Sequence, residues 1–461
     1  MPGHGGRTAP GPAPPVPVAV LLASVAVAFR ALPRLDLRSP APADAPRFEA
    51  LCRRTAGLAG EALDAARAVV EDVRARGDAA VVEATARFEG RHLAPGTLRV
   101  PAAALSEALG SIAPAVRAAL ETAAGAIRRF HEAQRIETAV VEGPHGRLES
   151  RPRPLRRVAV YAPGGTAAYP SSVLMCAIPA KVAGVREVVL LTPRPSPVVL
   201  AAAALAGVDE VLQIGGAQAV AAAAFGTASI RRVDKIVGPG NAYVTAAKKL
   251  VYGHVDVDGI AGPSEVLVVA GPDADPRVVA ADLLAQAEHD RLACPLLVTW
   301  APDLADAVDA ALAAALADLP RAEIAAAALC EHGASILVRD LDHALAVADA
   351  YAPEHLELLF DGARTAAARV ENAGAIFVGA HTPEAAGDYT AGPSHVLPTA
   401  GAARFASPLG VYDFVKYTSV LELSAAGLAA QREAIVTLAR TEGLEAHARS
   451  VLARTDGGGP R

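Results

Sequence analysis

The sequence contains few aromatic residues, little sulfur and no block of like charge. Its 461 residues include 9 phenylalanines, 8 tyrosines, one tryptophan and two methionines, yet 52% of them are hydrophobic. The apolar content is therefore mostly alanine, valine and leucine, which is ample for a core. The formal net charge is -6. Without a long basic or acidic segment, neither nucleic acid nor an anionic membrane is favoured as a partner.

Cysteine is also scarce, which bears on the redox compartment. Cys52, Cys176, Cys294 and Cys330 form no CxxC pair. They are interpreted as buried or free thiols in a reducing cytoplasm. Cys176 lies in "VLMCAIPAK", but no histidine or other base flanks it, so the sequence does not favour a nucleophilic role there.

No apolar run is long enough to cross a membrane. The run Val18–Phe29 falls short of the about 20 residues that a bilayer requires. With Arg7 ahead of it, this run could form the core of a signal peptide, although the proline-rich residues before it argue against that reading. We predict instead that residues 1–33 form a disordered extension.

The rest of the chain shows a helical region followed by two alternations of strands and helices. Between residues 61 and 134, apolar residues recur at steps of three and four, which predicts helices. Short apolar runs then end in glycine or proline, as in "RRVAVYAPGG", "EVVLLTP" and "DKIVGPGN", with apolar helical stretches between them. A second alternation begins at "EVLVVAG". This βαβ pattern predicts parallel sheets covered by helices. The last helix is predicted over residues 425–454.

The GxGxxG fingerprint of an ordinary Rossmann nucleotide site is absent. The strand ends "YAPGG", "IGGAQ" and "VGPGN" instead place glycine at the carboxyl edge of the sheet, where ligands bind in open α/β folds. Glycine allows a ligand to approach the backbone closely, but it serves equally in ordinary tight turns. Both readings stay open on these turns alone.

Several polar residues stand in apolar or glycine-rich settings. Gln286 and His289 in "DLLAQAEHD" share one face of a predicted helix, either as a solvated polar face or as half of a metal site. Together with Asp388 and His447 they would give the nitrogen and oxygen ligands that zinc accepts in a site without thiolates. Glutamine is an uncommon ligand, which weakens this reading.

A second pair, Glu354 and His355 in "APEHLEL", allows two interpretations. It could end a helix, where a histidine charge is favourable. It could also supply a carboxylate base and an imidazole base to one bound substrate.

Taken together and in order, the motifs resemble histidinol dehydrogenase from about Arg34 to Leu452. The resemblance rests on "YAPGG", "PSSVLMCAIPAKVAG", "IGGAQAVAAAAFG", "DKIVGPGNAYVTAAK", "GIAGPSEVLV", "DLLAQAEHD", "APEHLEL", "AGDYTAGPSHVLPT" and "EGLEAH". It implies an α/β fold of two Rossmann-like parallel-sheet units without GxGxxG, plus a C-terminal helical tail. The expected domains are residues 34–155 with 265–405, an inserted domain at 156–264, and a tail at 406–461.

The resemblance also implies an activity and its residues. Family members oxidise L-histidinol to L-histidine with two NAD through a bound aldehyde, and they use one zinc ion per subunit. The implied catalytic pair is Glu354 and His355. The other implied roles follow as sets: zinc ligands Gln286, His289, Asp388 and His447; further substrate contacts Ser264, His395 and Glu442; NAD contacts Tyr161, Gln218 and Asn241.

In the family two chains exchange their tails, so we expect a homodimer in which Glu442 and His447 reach the partner's site. The alternative is that the tail folds back on its own chain. Two other functions are alternatives: a dehydrogenase of this fold acting on another small alcohol, such as a sulfonated diol, and a zinc-binding scaffold without catalysis. The first would be favoured by loss of Glu442 or His395, and the second by a damaged "PEH" or "GPSE". All of these residues are present.

Overall fold

The computed structural model describes residues 29–39, 42–54, 60–164 and 168–456. Most of the predicted N-terminal extension therefore lies outside the described residues. In the described part, the strands are numbered in chain order: β1 Arg34–Asp36, β2 Ala139–Gly143, β3 Gly146–Pro154, β4 Arg157–Tyr161, β5 Glu187–Leu191, β6 Glu210–Leu212, β7 Lys235–Val237, β8 Asp256–Val257, β9 Glu265–Ala270, β10 Cys294–Thr299, β11 Ala334–Leu337, β12 His355–Leu359, β13 Ala375–Val378 and β14 Val415–Leu423.

The helices follow the predicted pattern closely through the first half of the chain. Their bounds in the described part are Ala45–Cys52, Gly60–Arg76, Asp78–Glu89, Ala102–Ser111, Pro114–Glu132, Pro170–Val182, Pro197–Ala206, Gly216–Phe225, Ala242–Val251, Pro276–Ala287, Pro302–Leu316, Ala322–Glu331, Leu341–Tyr351, Ala363–Ala367, Glu384–Tyr389, Ala425–Thr441 and Glu445–Thr455. Short 3-10 turns lie at Pro95–Thr97, Ala402–Arg404 and Val411–Phe414.

The chain divides into two compact units, each made of three segments. The first contains residues 1–57, 261–386 and 397–407, and the second contains 58–260, 387–396 and 408–461. This division differs from the predicted one, which placed residues 58–155 with the first domain. The helices of that segment pack on the second unit because their apolar stripes join its core, as Val70, Val81 and Ile127 do.

The first unit is built on a six-stranded sheet in the order β1-β11-β10-β9-β12-β13. Every neighbouring pair is parallel. Along β9, Val266 and Val268 join one apolar cluster, and Leu267 and Val269 join another. Successive side chains in a strand point to opposite faces, so helices cover this sheet on both sides. Leu32, assigned from the sequence to the extension, is buried in the first of these clusters.

The second unit contains a five-stranded parallel sheet in the order β6-β5-β4-β7-β8. Chain order reverses between β4 and β7, as it does at the switch point of doubly wound folds. Its strands β4 and β5 and some of its helices are almost wholly buried. In the helix Gly216–Phe225, for example, all residues from Ala217 to Ala224 are buried. These two parallel sheets confirm the predicted fold class.

A small antiparallel sheet in the second unit was missed in the sequence. Its order is β14-β3-β2, and β14 pairs with β3 along nine residues, from Val415 with Pro154 to Leu423 with Gly146. All of β2 and most of β3 and β14 are exposed or half-buried, so the strands lack the apolar alternation that reveals a strand.

The C-terminal tail differs from its predicted form. Two helices, Ala425–Thr441 and Glu445–Thr455, replace the single helix expected over residues 425–454. Gly443 separates them with a φ of 75°, a left-handed conformation that glycine adopts without steric cost. Across the part of the chain that the structure describes, no helix combines the length and apolarity needed to cross a membrane.

Candidate active site

In the second unit, the three residues that the resemblance assigns to NAD lie near the carboxyl edge of the parallel sheet. Tyr161 ends β4, Gln218 lies in the first turn of the helix after β6, and Asn241 caps the helix after β7. The Tyr161 hydroxyl accepts a hydrogen bond from the Gly216 N–H at 3.0 Å. Burial raises the pKa of Tyr161 to about 12, so its hydroxyl keeps its proton at neutral pH.

A buried ion pair shapes the turn that follows β7. The Lys248 ammonium lies 2.7 Å from Oδ1 of Asp258 and donates to the carbonyl oxygen of Gly238. The other carboxylate oxygen of Asp258 accepts from the N–H of Gly238 at 2.6 Å. The N–H and the carbonyl oxygen of Gly238 are therefore both held by hydrogen bonds to this ion pair. Gly238 has a φ of 109°, and a Cβ there would lie 2.2 Å from the carbonyl oxygen of Tyr161.

In the first unit, the proposed catalytic pair lies at the amino edge of the sheet. His355 is the first residue of β12 and Glu354 directly precedes it, so the alternative of a helix end is wrong. Both side chains are buried, at 5% and 6% exposure. The carboxylate oxygen Oε2 of Glu354 lies 3.7 Å from Nδ1 of His355.

The main chain of Glu265, the first residue of β9, contacts both members of this pair. Its N–H donates to Oε2 of Glu354 at 2.8 Å. Its carbonyl oxygen lies 2.9 Å from Nδ1 of His355. A carbonyl can only accept, so Nδ1 carries the hydrogen. In the neutral imidazole, Nε2 is therefore the nitrogen that can accept a proton.

Gln286 and His289 lie close to this edge, but not on one helix as predicted. The helix Pro276–Ala287 ends after Gln286, and His289 lies in the following turn, where its N–H donates to the carbonyl oxygen of Gln286 at 3.2 Å. Gln286 is fully buried and His289 is exposed. Only one orientation of the Gln286 amide satisfies its neighbours: its nitrogen then donates to the Glu265 carbonyl oxygen at 3.3 Å and to Oε1 of Glu384 at 3.0 Å. Its own oxygen is then the atom able to bind a cation.

Glu384 is a site residue that the sequence did not single out. It is buried, and its carboxylate offers an oxygen within 4.8 Å of a ring nitrogen of His289, so the two could bind one metal ion. Asp388 follows one turn later on the same short helix, Glu384–Tyr389. Residues four apart share a helix face, and this spacing in "PEAAGD" was the available signal.

A second acidic pair includes the third residue of the strand that starts with His355. Glu357 is fully buried, and its Oε1 accepts from the N–H of Glu384 at 3.0 Å. Burial, with the nearby Asp282 carboxyl, raises the pKa of Glu357 to about 9. At neutral pH this carboxyl therefore retains its proton, and it adds no negative charge to the site.

The remaining predicted residues are distributed over the two units. In the first, Ser264 is half-buried and directly precedes β9. In the second, Nε2 of His395 lies 3.2 Å from the Ser172 hydroxyl, and its Nδ1 lies 3.1 Å from the Asp388 carbonyl oxygen. The tail residues Glu442 and His447 are exposed, one ending a helix and the other on the next helix.

Cys294 begins β10, and Trp300 directly follows that strand. Cys294 pairs across the sheet with Glu265, and burial raises the pKa of its thiol to about 12, so it is no nucleophile at neutral pH. Trp300 packs edge-on against Phe360, with ring centroids 5.6 Å apart.

Comparisons with known proteins decide the family. The family model described as histidinol dehydrogenase matches residues 52–455. A histidinol dehydrogenase of Syntrophotalea carbinolica is 52% identical over 84% of this chain and 91% of its own length. One of Rhizobium meliloti is 53% identical, with the same two coverages. The crystal structure of histidinol dehydrogenase from Elizabethkingia anophelis superposes with a TM-score of 0.86 at 32% identity, covering 92% of this chain and 98% of that one.

The chain belongs to the histidinol dehydrogenase family. Membership confirms the resemblance drawn from the motifs and the assignment as an oxidoreductase. The family match covers both catalytic candidates, all four predicted zinc ligands and the tail residue Glu442. The similarity to a solved histidinol dehydrogenase over nearly the whole chain also supports the two-sheet architecture.

The packing around Gly238 yields a prediction for the glycine-rich edge of this family member. Gly238→Ala should destabilise the second unit by more than backbone strain alone, because its Cβ has no room beside Tyr161. Gly253→Ala is the matched control, since Gly253 has a similar φ of 97° but open space around its Cβ. We expect the control to cost about 1–3 kcal/mol and Gly238→Ala clearly more in urea unfolding. Equal costs would show that the contact with Tyr161 relaxes.

Proposed function

We propose that this chain oxidises L-histidinol to L-histidine in two NAD-dependent steps, with L-histidinaldehyde held between them. The observation that carries the proposal is the geometry at Glu265, which commits Nδ1 of His355 to a carbonyl and leaves the acceptor role to Nε2. Family membership supplies the reaction class. The roles below are part of this proposal.

His355 is the proton acceptor in both oxidations. Its Nε2 takes the hydroxyl proton of the alcohol, and later the proton of the hydrated aldehyde, as each hydride leaves the substrate carbon. An imidazole suits this repeated task because its ordinary pKa lies near neutral pH. The carboxylate of Glu354, 3.7 Å from Nδ1, favours the imidazolium that forms each time.

Glu354 activates the water that attacks the aldehyde between the two oxidations. The bond from the Glu265 N–H fixes this carboxylate. Glu354 removes a proton from water as the water oxygen bonds to the carbonyl carbon, and the imidazolium of His355 returns its proton to the carbonyl oxygen. This gives the hydrate and restores the neutral imidazole that the second oxidation requires. The overall change consumes one water and delivers two hydrides to two NAD.

The side chains proposed as metal ligands suit zinc. Gln286, His289, Asp388 and His447 are the proposed ligands, and Glu384 lies near enough to His289 to join or replace one of them. Imidazole nitrogen with carboxylate and amide oxygen fits zinc in a site without thiolates. When bound, the ion anchors the substrate's imidazole and amine. Ser264, His395 and Glu442 are the further proposed substrate contacts, with Glu442 the candidate partner of the substrate ammonium.

NAD occupies the carboxyl edge of the second unit's sheet. Two helices begin there, at Gly216 and Ala242, and helix N-termini favour the negative charge of a pyrophosphate. Tyr161, Gln218 and Asn241 contact the cofactor in this proposal. Asn241 also caps its own helix through bonds to the N–H groups of Tyr243 and Val244, so it has a structural role as well. When bound, NAD accepts the hydride of each step.

The proposed partner is a second copy of this chain, with exchanged tails. Support comes from the tail region, where Tyr417, Leu421 and Leu438 are 54%, 69% and 63% exposed. Glu442 and His447 are exposed on the same tail and could reach another chain. A two-fold dimer would then contain two composite sites. The reducing cytoplasm is the proposed location, since the four cysteines are free.

Two substitutions separate the proposed roles. Wild-type protein should form two NADH per histidine. His355→Ala should slow both half-reactions by about 100- to 10,000-fold, the usual contribution of a general base. Glu354→Gln keeps an oxygen to accept from Glu265 but loses the charge beside His355, so it should slow the oxidation of histidinol modestly and that of histidinaldehyde much more. Single-turnover NADH formation from each substrate measures this, with the exposed His381→Ala as control. Equal losses for both substrates in Glu354→Gln would refute the role of that residue.

Metal content tests the ligand set. Asp388→Ala should lose most bound zinc and about 100-fold or more of the activity, because even supporting residues around a metal cost 10- to 100-fold when removed. Zinc per chain, measured by mass spectrometry after dialysis, is the readout. The exposed carboxylate of Asp318 provides the control variant Asp318→Ala. Full zinc and full activity in Asp388→Ala would exclude it as a ligand.

Complementation tests the exchange of tails. An inactive His355→Ala chain is refolded with an inactive His447→Ala chain. In a mixed dimer, one site collects both defects and the other collects neither. Random pairing makes about half of the dimers mixed, so activity should return to roughly a quarter of wild type. If mass spectrometry shows mixed dimers without recovered activity, each chain supplies its own His447.

A further inference from the structure

One residue, Glu265, sets the position of both proposed catalytic side chains through its main chain. Its N–H holds the Glu354 carboxylate at 2.8 Å, and its carbonyl holds Nδ1 of His355 at 2.9 Å. A rotation of the backbone at Glu265 would displace both of these hydrogen bonds together. Catalysis is sensitive to such movement, since a displacement of about 1 Å can cost 100-fold in rate.

Hydrogen bonds hold the side chain of Glu265 on one face of the sheet. Its carboxylate is only 2% exposed and lies 2.5 Å from both Nε and Nη2 of Arg54. The N–H of Ala400 adds a third donor at 3.0 Å. Side chains alternate along a strand, so this carboxylate lies on the face of Leu267, away from Val266.

Arg54 is itself fixed at the edge and on one face of its guanidinium plane. Its Nη1 donates to the carbonyl oxygen of Tyr351 at 2.8 Å, and its Cζ lies 3.4 Å from the centroid of the Tyr351 ring. The side chain is 14% exposed. A planar cation that binds a carboxylate through two parallel bonds and stacks on an aromatic ring has few other orientations.

We propose that Arg54 is a positioning residue for the oxidation of histidinol: through its two bonds to Glu265 it fixes the peptide that orients Glu354 and His355. The proposal rests on the proposed function, because it presumes that this pair is catalytic. Arg54 donates hydrogen bonds to Glu265 and to the carbonyl oxygens of Tyr351 and Ala352, and in this proposal it acts on the pair through the strand.

The substitution Arg54→Lys tests this role. Lysine keeps the charge but loses the two parallel bonds and the stacking. We expect kcat to fall about 10- to 100-fold for both half-reactions equally. KM for histidinol and zinc per chain should stay within about twofold, because Gln286 contacts Glu265 through a 3.3 Å bond of its nitrogen and not through the oxygen proposed to bind zinc. This pattern differs from that of Glu354→Gln, which acts mainly on one half-reaction.

The matched control is Arg34→Lys. Arg34 also pairs with a largely buried carboxylate in the first unit, Asp309, at 2.7 Å, but neither residue contacts the proposed site. The variant Arg34→Lys should leave kcat unchanged. If Arg54→Lys does not fold, the double variant Arg54→Gln with Glu265→Gln replaces it, since two neutral amides leave no unpaired buried charge. Its kcat should fall in the same way, again with KM unchanged.

The outcomes distinguish the two proposals. Lower kcat with unchanged KM and zinc content supports positioning by Arg54. An unchanged kcat in the folded fraction, with or without a lower melting temperature, overturns it, as does a change confined to KM. If His355→Ala and Glu354→Gln keep full activity, the catalytic pair itself is misassigned, whatever the Arg54 variants show.

Discussion

A carboxylate buried at the start of a central strand is the constraint on which the first unit depends. Glu265 lies between β10 and β12 in the sheet order, and its charge is withdrawn from water. Such a group is tolerated only with full pairing, because leaving it unpaired costs several kcal/mol. Arg54, Ala400 and the packing on Tyr351 provide that pairing. The same pairing leaves the main chain of Glu265 in one orientation, with both its polar groups directed at side chains.

The candidate NAD residues of the second unit lie at the carboxyl edge of its parallel sheet, and the candidate metal residues Gln286 and His289 lie near the amino edge of the sheet in the first. At the carboxyl edge of the second unit, helices begin, and their N–H groups favour anions. At the amino edge of the first unit, the helix Pro276–Ala287 ends, and its carbonyl groups favour a cation. Gln286 and the acids around it are therefore placed where positive charge is stabilised. The protonated Glu357 limits the negative charge that this cluster would otherwise carry.

Much of the architecture and most of the candidate residues could be predicted from the sequence. Short apolar runs ending in glycine revealed both parallel sheets, because buried strands leave a continuous apolar signal. The bond between Arg54 and Glu265 could not be predicted, since 211 residues separate them and no periodic pattern links them. The sequence at Glu354 and His355 fits a helix end as well as a strand, because His355 and Glu357 interrupt the apolar run of β12. The small antiparallel sheet and the break at Gly443 lie in largely exposed regions, where burial leaves no pattern.

The pairing of β1 with β11 has a consequence for how the chain is made. Arg34 contacts Ser335, 301 residues later, while all five parallel strands of the second unit lie between residues 157 and 257. At about 5–20 residues per second, roughly 15–60 s of synthesis separate the two strands of the first unit. During that time Leu35 and Leu37 have no sheet to cover them, and an uncovered strand can pair with other chains. The nascent chain is therefore most prone to aggregate during this interval, which ends only after β11 has been synthesised.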